Sequence, residues 1–389
     1  MVKDRICAGP IDGMAAIPHG RSDCFSVFSG GELAETICSR MVEAGRLREI
    51  DVSARQVSRV TPSSRFGMRK DSPVQRFGHW LVYLLVRVFI SLVQAVRIET
   101  CQRAARVLAW LLYDVVKLRR RVVDENLSIA MSELSPAERT RVAREMWEHL
   151  ILMVCEIAHA PRKIHETNWR EYVTVSGKPE MVGLMLSGRP CVAVTAHFGN
   201  FEIAGFISGV LGFSTFTVAR TLDNPYLDEY LNRFRELKGQ FILPKVGSAP
   251  QADAVLETNG TLVLLGDQNA GKRGVWIDFM GRPASCHKAL ALFTLLSRAP
   301  MMVVYCRRLE QPLKFEFGLA GVADPLCLDD EQGDVRGLTQ WYNRLLEQEI
   351  RRTPHQYWWV HRRWKEMPPR RRSAKAAPSE ALQEQRPAA

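Results

Sequence analysis

No Cys-x-x-Cys pair occurs among the nine cysteines, which stand at 7, 24, 38, 101, 155, 191, 286, 306 and 327. Their scatter and odd number argue against a disulfide framework, a zinc ribbon or an iron–sulfur site, and place the working part of the chain in a reducing compartment. No Gly-x-Ser-x-Gly elbow is present, which weakens a serine hydrolase reading. Acidic residues are in deficit: 53 Lys and Arg face 42 Asp and Glu, a net charge of +11. Such a balance favours anionic partners, whether nucleic acid, anionic lipid, a phosphorylated substrate or an acidic carrier protein. The first 64 or so residues have no sustained amphipathic period and lack the basic-then-apolar layout of a signal peptide. Disorder throughout is excluded by the 46% hydrophobic content over 389 residues.

These patterns divide the chain into an extension at 1–71, an apolar helix at 72–98, a main domain at 99–366 and a basic tail at 367–389. Extension and tail are both expected to be disordered. Met68, just before the patterned region, is a conceivable alternative start. The apolar run WLVYLLVRVFISLVQAV (80–96) has 17 residues and one charge, short of the ~20 apolar residues a membrane-spanning helix needs. On a helix, Trp80, Tyr83, Arg87, Ser91 and Gln94 form one stripe, and Leu81, Leu84, Leu85, Val88, Phe89, Leu92, Val93 and Val96 form the broader remainder. The stripe suits docking on the body or facing headgroups, so the helix either spans, lies in the interface as an anchor, or is a buried soluble helix. A further helical region covers 101–118. The capping box Ser135-Pro136-Ala137-Glu138 then starts a helix expected to run to about Ala160 and stop at Pro161.

After Tyr172 short apolar runs alternate with helical stretches: CVAVTA (191–196), STFTVA (214–219), QFILP (240–244), TLVLLG (261–266), GVWIDF (274–279), PMMVVYCRR (300–308) and LKFEFG (313–318). This predicts an α/β fold, a twisted mixed sheet buried on both faces and flanked by helices. His197 follows the first of these core strands, at the carboxyl edge where α/β sheets meet ligands. In a continuous helix His197 and Glu202 would point about 140° apart, from the 3.6-residue repeat. With His197 in a strand-to-helix turn, Gly199 at the bend and the helix starting near Asn200, Glu202 can point back at the imidazole. The pair then acts as a base and its orienting carboxylate. A bland alternative has His197 as a bonded turn residue and Glu202 as a solvated carboxylate.

The stretch AHFGNFE (196–202) resembles the His-x4-Asp/Glu signature of the lysophospholipid acyltransferase superfamily, and most of all its lipid A biosynthesis branch of late lauroyl and myristoyl acyltransferases. RRRVVDENLSIAMSELSPAERTRVAREMWEHL (119–150), VARTLDNPYLDEYLNRFR (218–235), GDQNAGKRGVWIDFMGRPASC (266–286) and QYWWVHRRWK (356–365) resemble that branch in order. The resemblance covers about residues 73–366. It implies acyl transfer from a thioester donor, acyl carrier protein or acyl-CoA, to a hydroxyl of a lipid acceptor, with no metal, no cofactor and no covalent acyl-enzyme. By the same resemblance His197 is the base and Glu202 its orienter, Arg220 binds an anionic acceptor group, and Asp267, Gln268 and Arg282 line the substrate site. Arg220 also has a plainer reading, as a surface ion pair with Asp223 or Asp228. Met280 stands where the branch often has Phe, and Cys286 and His287 replace its usual Thr-Pro.

Gly266 to Arg273 nearly spells a P-loop, but lacks the Ser or Thr for magnesium and precedes a strand-like run instead of a helix. His355 and His361 sit six apart among Tyr357, Trp358, Trp359 and Trp364, which reads as a packed aromatic segment and not a metal site. Between Arg362 and Lys375 seven basic residues face one acidic. No nucleic-acid reader accompanies this charge, whereas anionic lipid suits it. The expectation is therefore an acyltransferase of the inner membrane's cytoplasmic face, acting on a lipid A precursor. Other phospholipid or glycolipid acceptors, or a non-catalytic anionic-lipid-binding protein, are the alternatives.

Overall fold

The computed structural model describes residues 72–365, so the expected extension and tail lie outside the described residues. Helix α1 (Pro73–Ala95) begins on a capping box, in which Ser72 Oγ accepts from the Gln75 N–H and the Gln75 amide accepts from the Ser72 N–H, with Pro73 at the first position. The helix has no buried residue and is long and apolar enough to cross a membrane. Tyr83 and Gln94 of the expected stripe meet the body: Tyr83 packs on Tyr226 and Tyr230, and Gln94 donates to the Ala158 carbonyl at 2.6 Å. Trp80 does not; it stacks on Phe77 at 6.0 Å and is exposed. Half-buried positions at 79, 83, 86, 90, 93 and 94 place the docking seam one step away from Trp80.

After a break at Val96–Arg97 come α2 (Ile98–Trp110), a π-helical turn (Leu111–Val115), α3 (Arg120–Ala130) and α4 (Pro136–Lys163). Ser135 and Glu138 form the expected box at the start of α4. Pro161 does not stop this helix, which continues to Lys163. Proline removes one backbone donor, and in the last turn that loss is confined to a single bond, while the Ile164 N–H still closes on Ala160 O at 2.8 Å.

The sheet follows as β1 (Val173–Ser176), α5 (Lys178–Leu186), β2 (Cys191–Thr195), α6 (Phe201–Val210), β3 (Thr215–Ala219), α7 (Pro225–Glu236), β4 (Gln240–Pro244), α8 (Ser248–Glu257), β5 (Thr261–Leu265), β6 (Val275–Phe279), β7 (Arg282–Cys286), α9 (Ala289–Ser297), β8 (Met301–Arg308), β9 (Phe315–Ala323) and α10 (Val335–Arg352). Seven strands are ordered β1-β9-β8-β2-β5-β3-β4, parallel except for β8 against β9, and β6–β7 is a separate antiparallel hairpin. The class is therefore the mixed α/β sheet that the apolar runs predict, and each of those seven runs holds a strand. The runs did not reveal β1, a four-residue edge strand, or β7, whose Pro283 and Ser285 disguise it. Alternation along β2 sends Val192 and Val194 into one core and Cys191 and Ala193 into the other, under α6.

Candidate active site

Between β2 and α6 the chain turns through residues 196–200. Asn200 caps the helix, its side-chain oxygen accepting from the Ile203 N–H at 3.2 Å. Gly199 is needed at the bend: its φ is +60°, and a Cβ there would stand 2.0 Å from the Cys306 carbonyl oxygen. The turn thus presses on β8, and His197 is left at the carboxyl edge of the sheet, as expected from its position.

The carboxylate that meets His197 is Asp267, with Oδ1 2.9 Å from Nδ1. Thr195 pairs with Leu265 in the β2–β5 register, and His197 and Asp267 each lie two residues beyond that pair. Adjacent parallel strands therefore deliver imidazole and carboxylate to the same point. The Gln268 amide nitrogen lies 3.2 Å from His197 Nε2. Phe201 and Trp358 pack on the imidazole at 5.1 and 5.0 Å between centroids. Burial disfavours the imidazolium, but the charge and hydrogen bond of Asp267, with the charge of Glu202, outweigh it and hold His197 above its ordinary range. Burial pushes Asp267 upward, and its bonds and charge interaction with His197 return it below the usual carboxylate range. Nδ1 therefore carries the hydrogen given to Asp267, and Nε2 is the free base of the neutral ring.

Glu202 lies in the first turn of α6, as expected, but it does not orient His197. Its two oxygens accept from Arg235 Nε at 3.0 Å and Nη2 at 2.5 Å. A fork-to-carboxylate pair is geometrically well satisfied, and Arg235 on α7 lies close enough to take both oxygens. The carboxylate bonded to His197 is thus Asp267, which the sequence places only among the substrate-lining residues.

Behind the turn lies a second set of polar side chains, all buried. Arg308 clasps Glu156 through Nε and Nη2 at 2.6 and 2.7 Å, and its Nη1 donates to His149 Nδ1 at 2.8 Å. His149 Nε2–H then donates to the Gly199 carbonyl at 3.1 Å, and Asn200 Nδ2 donates to Glu156 at 3.0 Å. Burial and the Arg308 charge push His149 well below its usual range, so it is neutral. Gln356 closes the set, its carbonyl accepting from the Gly199 N–H and its amide exchanging two bonds with the Arg308 backbone.

A cavity of about 570 Å³ opens on His197 and Gln268. Toward β8 and β9 it is apolar, with Met181, Met185, Met302, Val304 and Phe317, and its walls also carry Arg220, Arg235, Lys245 and His287. Arg220 is exposed, with Asp223 3.9 Å away. Arg282 is not among the cavity-lining residues. It sits at the turn end of the β6–β7 hairpin, paired with Phe279, where the hairpin docks on α10 through Asp278 and Gln340. Cys286 is buried and receives Arg363 Nη2 at 2.8 Å, while Arg363 Nη1 donates to the Ser285 carbonyl. Lys245, Arg235, His287 and Trp358 were not singled out as site residues. The signal available was, for Lys245 and His287, their place just past strand ends and, for Trp358, the aromatic block; Arg235, in the last turn of α7, carried none. His361 accepts from the Asn269 N–H at 3.1 Å, and among the described residues no group of three His, Cys, Asp or Glu could hold a metal. Residues 271–273 form a 3-10 turn leading into strand β6, not the helix a P-loop requires.

A histidine paired to a buried carboxylate thus stands beside an apolar arm and a cationic mouth. The chain belongs to the bacterial lipid A biosynthesis acyltransferases: that family's model matches residues 68–366. It is 22% identical over 301 residues to the lipid A biosynthesis palmitoleoyltransferase of Escherichia coli (strain K12), covering 75% of this chain and 92% of that protein. A phosphatidylinositol mannoside acyltransferase of Mycobacterium tuberculosis (strain CDC 1551 / Oshkosh) is 25% identical over 195 residues, or 49% of this chain and 59% of that one. The crystal structure of the 1-acyl-sn-glycerophosphate acyltransferase PlsC from Thermotoga maritima aligns at 12% identity and a TM-score of 0.32, covering 64% of this chain and 97% of that one. The protein is accordingly an acyltransferase of the lipid A and glycolipid type.

Proposed function

We propose that the protein transfers an acyl group from an acyl carrier protein thioester to a hydroxyl of a lipid A precursor, with His197 as general base. The observation that carries this reading is the His197–Asp267 pair opening on the cavity. The acceptor hydroxyl replaces Gln268 at Nε2 and gives up its proton as its oxygen attacks the thioester carbonyl. Collapse of the tetrahedral intermediate breaks the carbon–sulfur bond, and the imidazolium returns the proton to the departing thiolate. Asp267 stays ionised throughout, fixing the tautomer and stabilising the imidazolium. Acyl-CoA is the alternative donor. The apolar arm beyond Ala193 suits the acyl chain, and Arg220, with Lys245, suits an anionic group of the acceptor.

Membrane attachment at the cytoplasmic face of the inner membrane completes the proposal, because carrier-bound acyl chains are available there. Support comes from α1, whose apolar face is exposed while its polar stripe is engaged: Arg87 donates to Tyr83 at 2.8 Å and lies over the Tyr230 ring at 4.8 Å. Asn224 also donates to the His79 carbonyl at 2.8 Å. A helix tied along its length to the body favours an interfacial anchor over a span. The Mycobacterium relative favours a second acceptor class, another glycolipid or phospholipid. Incubation of the purified protein with each acceptor and with carrier or CoA thioesters, followed by mass spectrometry, decides between them. Product from lipid A precursor and carrier thioester is expected. Absence of product with every acceptor would overturn acyl transfer by this site.

A further inference from the structure

Beyond α1, a second exposed apolar surface lies at the end of α2. Val107, Leu108, Trp110, Leu111, Val115, Val116 and Leu118 are each between 38% and 64% exposed. The backbone there is unusual. The α-helix widens into the π-helical turn Leu111–Val115, and the Val116 N–H bonds Leu111 O at 2.9 Å. Lys117 and Arg119 then adopt left-handed φ values of +56° and +52°, a conformation that side-chain-bearing residues seldom take. Tyr113 points inward and is held by Asp124 at 2.5 Å, with Arg120 over its ring. With Tyr113 fixed inside, the added residue of the π-turn and the two left-handed steps turn Val115, Val116 and Leu118 outward. Such π-turns concentrate at functional sites, and this one displays aliphatic side chains on its outer face.

We infer that residues 107–118 form a wedge that inserts into an anionic lipid bilayer, a second membrane contact separate from α1. Charge complementarity selects this occupant: exposed Lys117, Arg119 and Arg121 rim the aliphatic tip, the pattern of a segment that seats in the headgroup layer with cations toward lipid phosphates. Trp110 stands at its edge, the usual place of tryptophan at a bilayer surface. The wedge is set apart from α1. Helix α2 runs beside α4, Arg106 near Glu148 and Asp114 bonded to Arg144, so its far end lies about 20 Å from the α1 corner at 1.5 Å per residue. Through Asp124 the wedge is tied to α3, whose Asn126 holds the carbonyls of Trp359 and His361 beside the active site. Helix α1 is tied instead to α7 through Asn224. Two contacts on different elements would fix the tilt of the cavity against the membrane, where one helix leaves it free to roll.

The inference stands apart from acyl transfer and is tested by binding alone. The full chain is mixed with vesicles of phosphatidylglycerol and phosphatidylcholine, or of phosphatidylcholine only, and sedimented. The triple variant Val115→Asn, Val116→Asn, Leu118→Asn is expected to partition at least tenfold less into the anionic vesicles. Leu237→Asn, at an exposed aliphatic position outside the wedge, should stay within twofold of the unaltered chain. Bromine-labelled lipid gives a readout that does not depend on the triple variant folding: Trp110→Phe should lose part of the tryptophan quenching seen in the unaltered chain. Equal partitioning of the triple variant, equal loss with Leu237→Asn, or unchanged quenching in Trp110→Phe would each overturn the wedge. A fall in oligomeric mass of the triple variant without a fall in vesicle binding would also overturn it, assigning the surface to contact between copies.

Discussion

The turn at residues 196–200 has a front and a back that are built to opposite ends. At the front His197 Nε2 meets a single amide at 3.2 Å, and Arg220 and Lys245 at the cavity mouth are exposed. At the back, Glu156, Arg308, His149, Asn200 and Gln356 are buried, and each bonds at least two partners. Front bonds have to be exchanged when substrate arrives, so they are few and long. Back bonds must not be exchanged, because they set where the base stands. Charge is arranged accordingly: Arg308 and Glu156 cancel, and His149 is kept neutral by its burial and by the guanidinium that faces its Nδ1.

Removing the base breaks this comparison at the front. His197→Ala should lower turnover by about 10² to 10⁴, the usual worth of general-base catalysis, in a chain that still folds, with a thermal midpoint lowered only as far as the buried Asp267 carboxylate misses its partner. Turnover and melting measured on the same preparation check both halves; retained turnover would remove His197 from the mechanism. At the back the balance reverses. Arg308→Met strands the Glu156 carboxylate in the interior and should cost about 3–5 kcal/mol of stability, as breaking a buried ion pair does. Pairing it with Glu156→Gln should recover part of that loss in a denaturant titration. If the single substitution left stability intact, the back would not be the fixed frame described.

Two carboxylates near the imidazole sharpen the contrast further. Asp267→Asn should reduce turnover nearly as much as His197→Ala, because it removes the charge that stabilises the imidazolium. Glu202→Gln should cost less, about tenfold, acting through a loosened Arg235; a larger effect than Asp267→Asn would return the orienting role to Glu202. The pH dependence carries the same distinction. His197 is raised, so its contribution to stability is complete below the ordinary imidazole range and is lost as pH climbs through the raised value. Activity runs the other way, since only neutral imidazole accepts a proton. Activity is therefore expected to rise with pH through the raised value, and in Asp267→Asn the residual activity should rise at lower pH. An acid limb that does not move would separate it from His197.

That Asp267 meets His197 is not legible in the sequence, and the reason is range. The His197–Glu202 spacing is five residues and can be seen by eye, and the strand-to-helix turn with Gly199 and the Asn200 cap was legible for the same reason. His197 and Asp267 are 70 residues apart, and what brings them together is that β5 pairs with β2. Apolar runs reveal strands but not their order. The back of the turn was hidden more completely. Glu156 and His149 come from α4 and Arg308 from β8, and a lone buried charge on a helix carries no local mark of its partner. Pro161 misled for a complementary reason: its local cost was read correctly, but a helix in its final turn tolerates one missing bond.

The smallest effect is expected at Arg220, where the front of the site meets solvent. Its side chain is exposed and Asp223 is 3.9 Å away, so in the free protein that ion pair is worth little. Its value would come only when an anionic acceptor enters, because a guanidinium offers two parallel donors to a phosphate. Arg220→Ala should therefore leave stability unchanged and raise the KM for acceptor several-fold, while the KM for donor thioester stays within twofold. Arg220→Lys should recover only part, keeping the charge and losing the fork. Equal changes for both substrates would place Arg220 outside the acceptor's reach, and Lys245, which lines the same cavity, would become the residue to test for that contact.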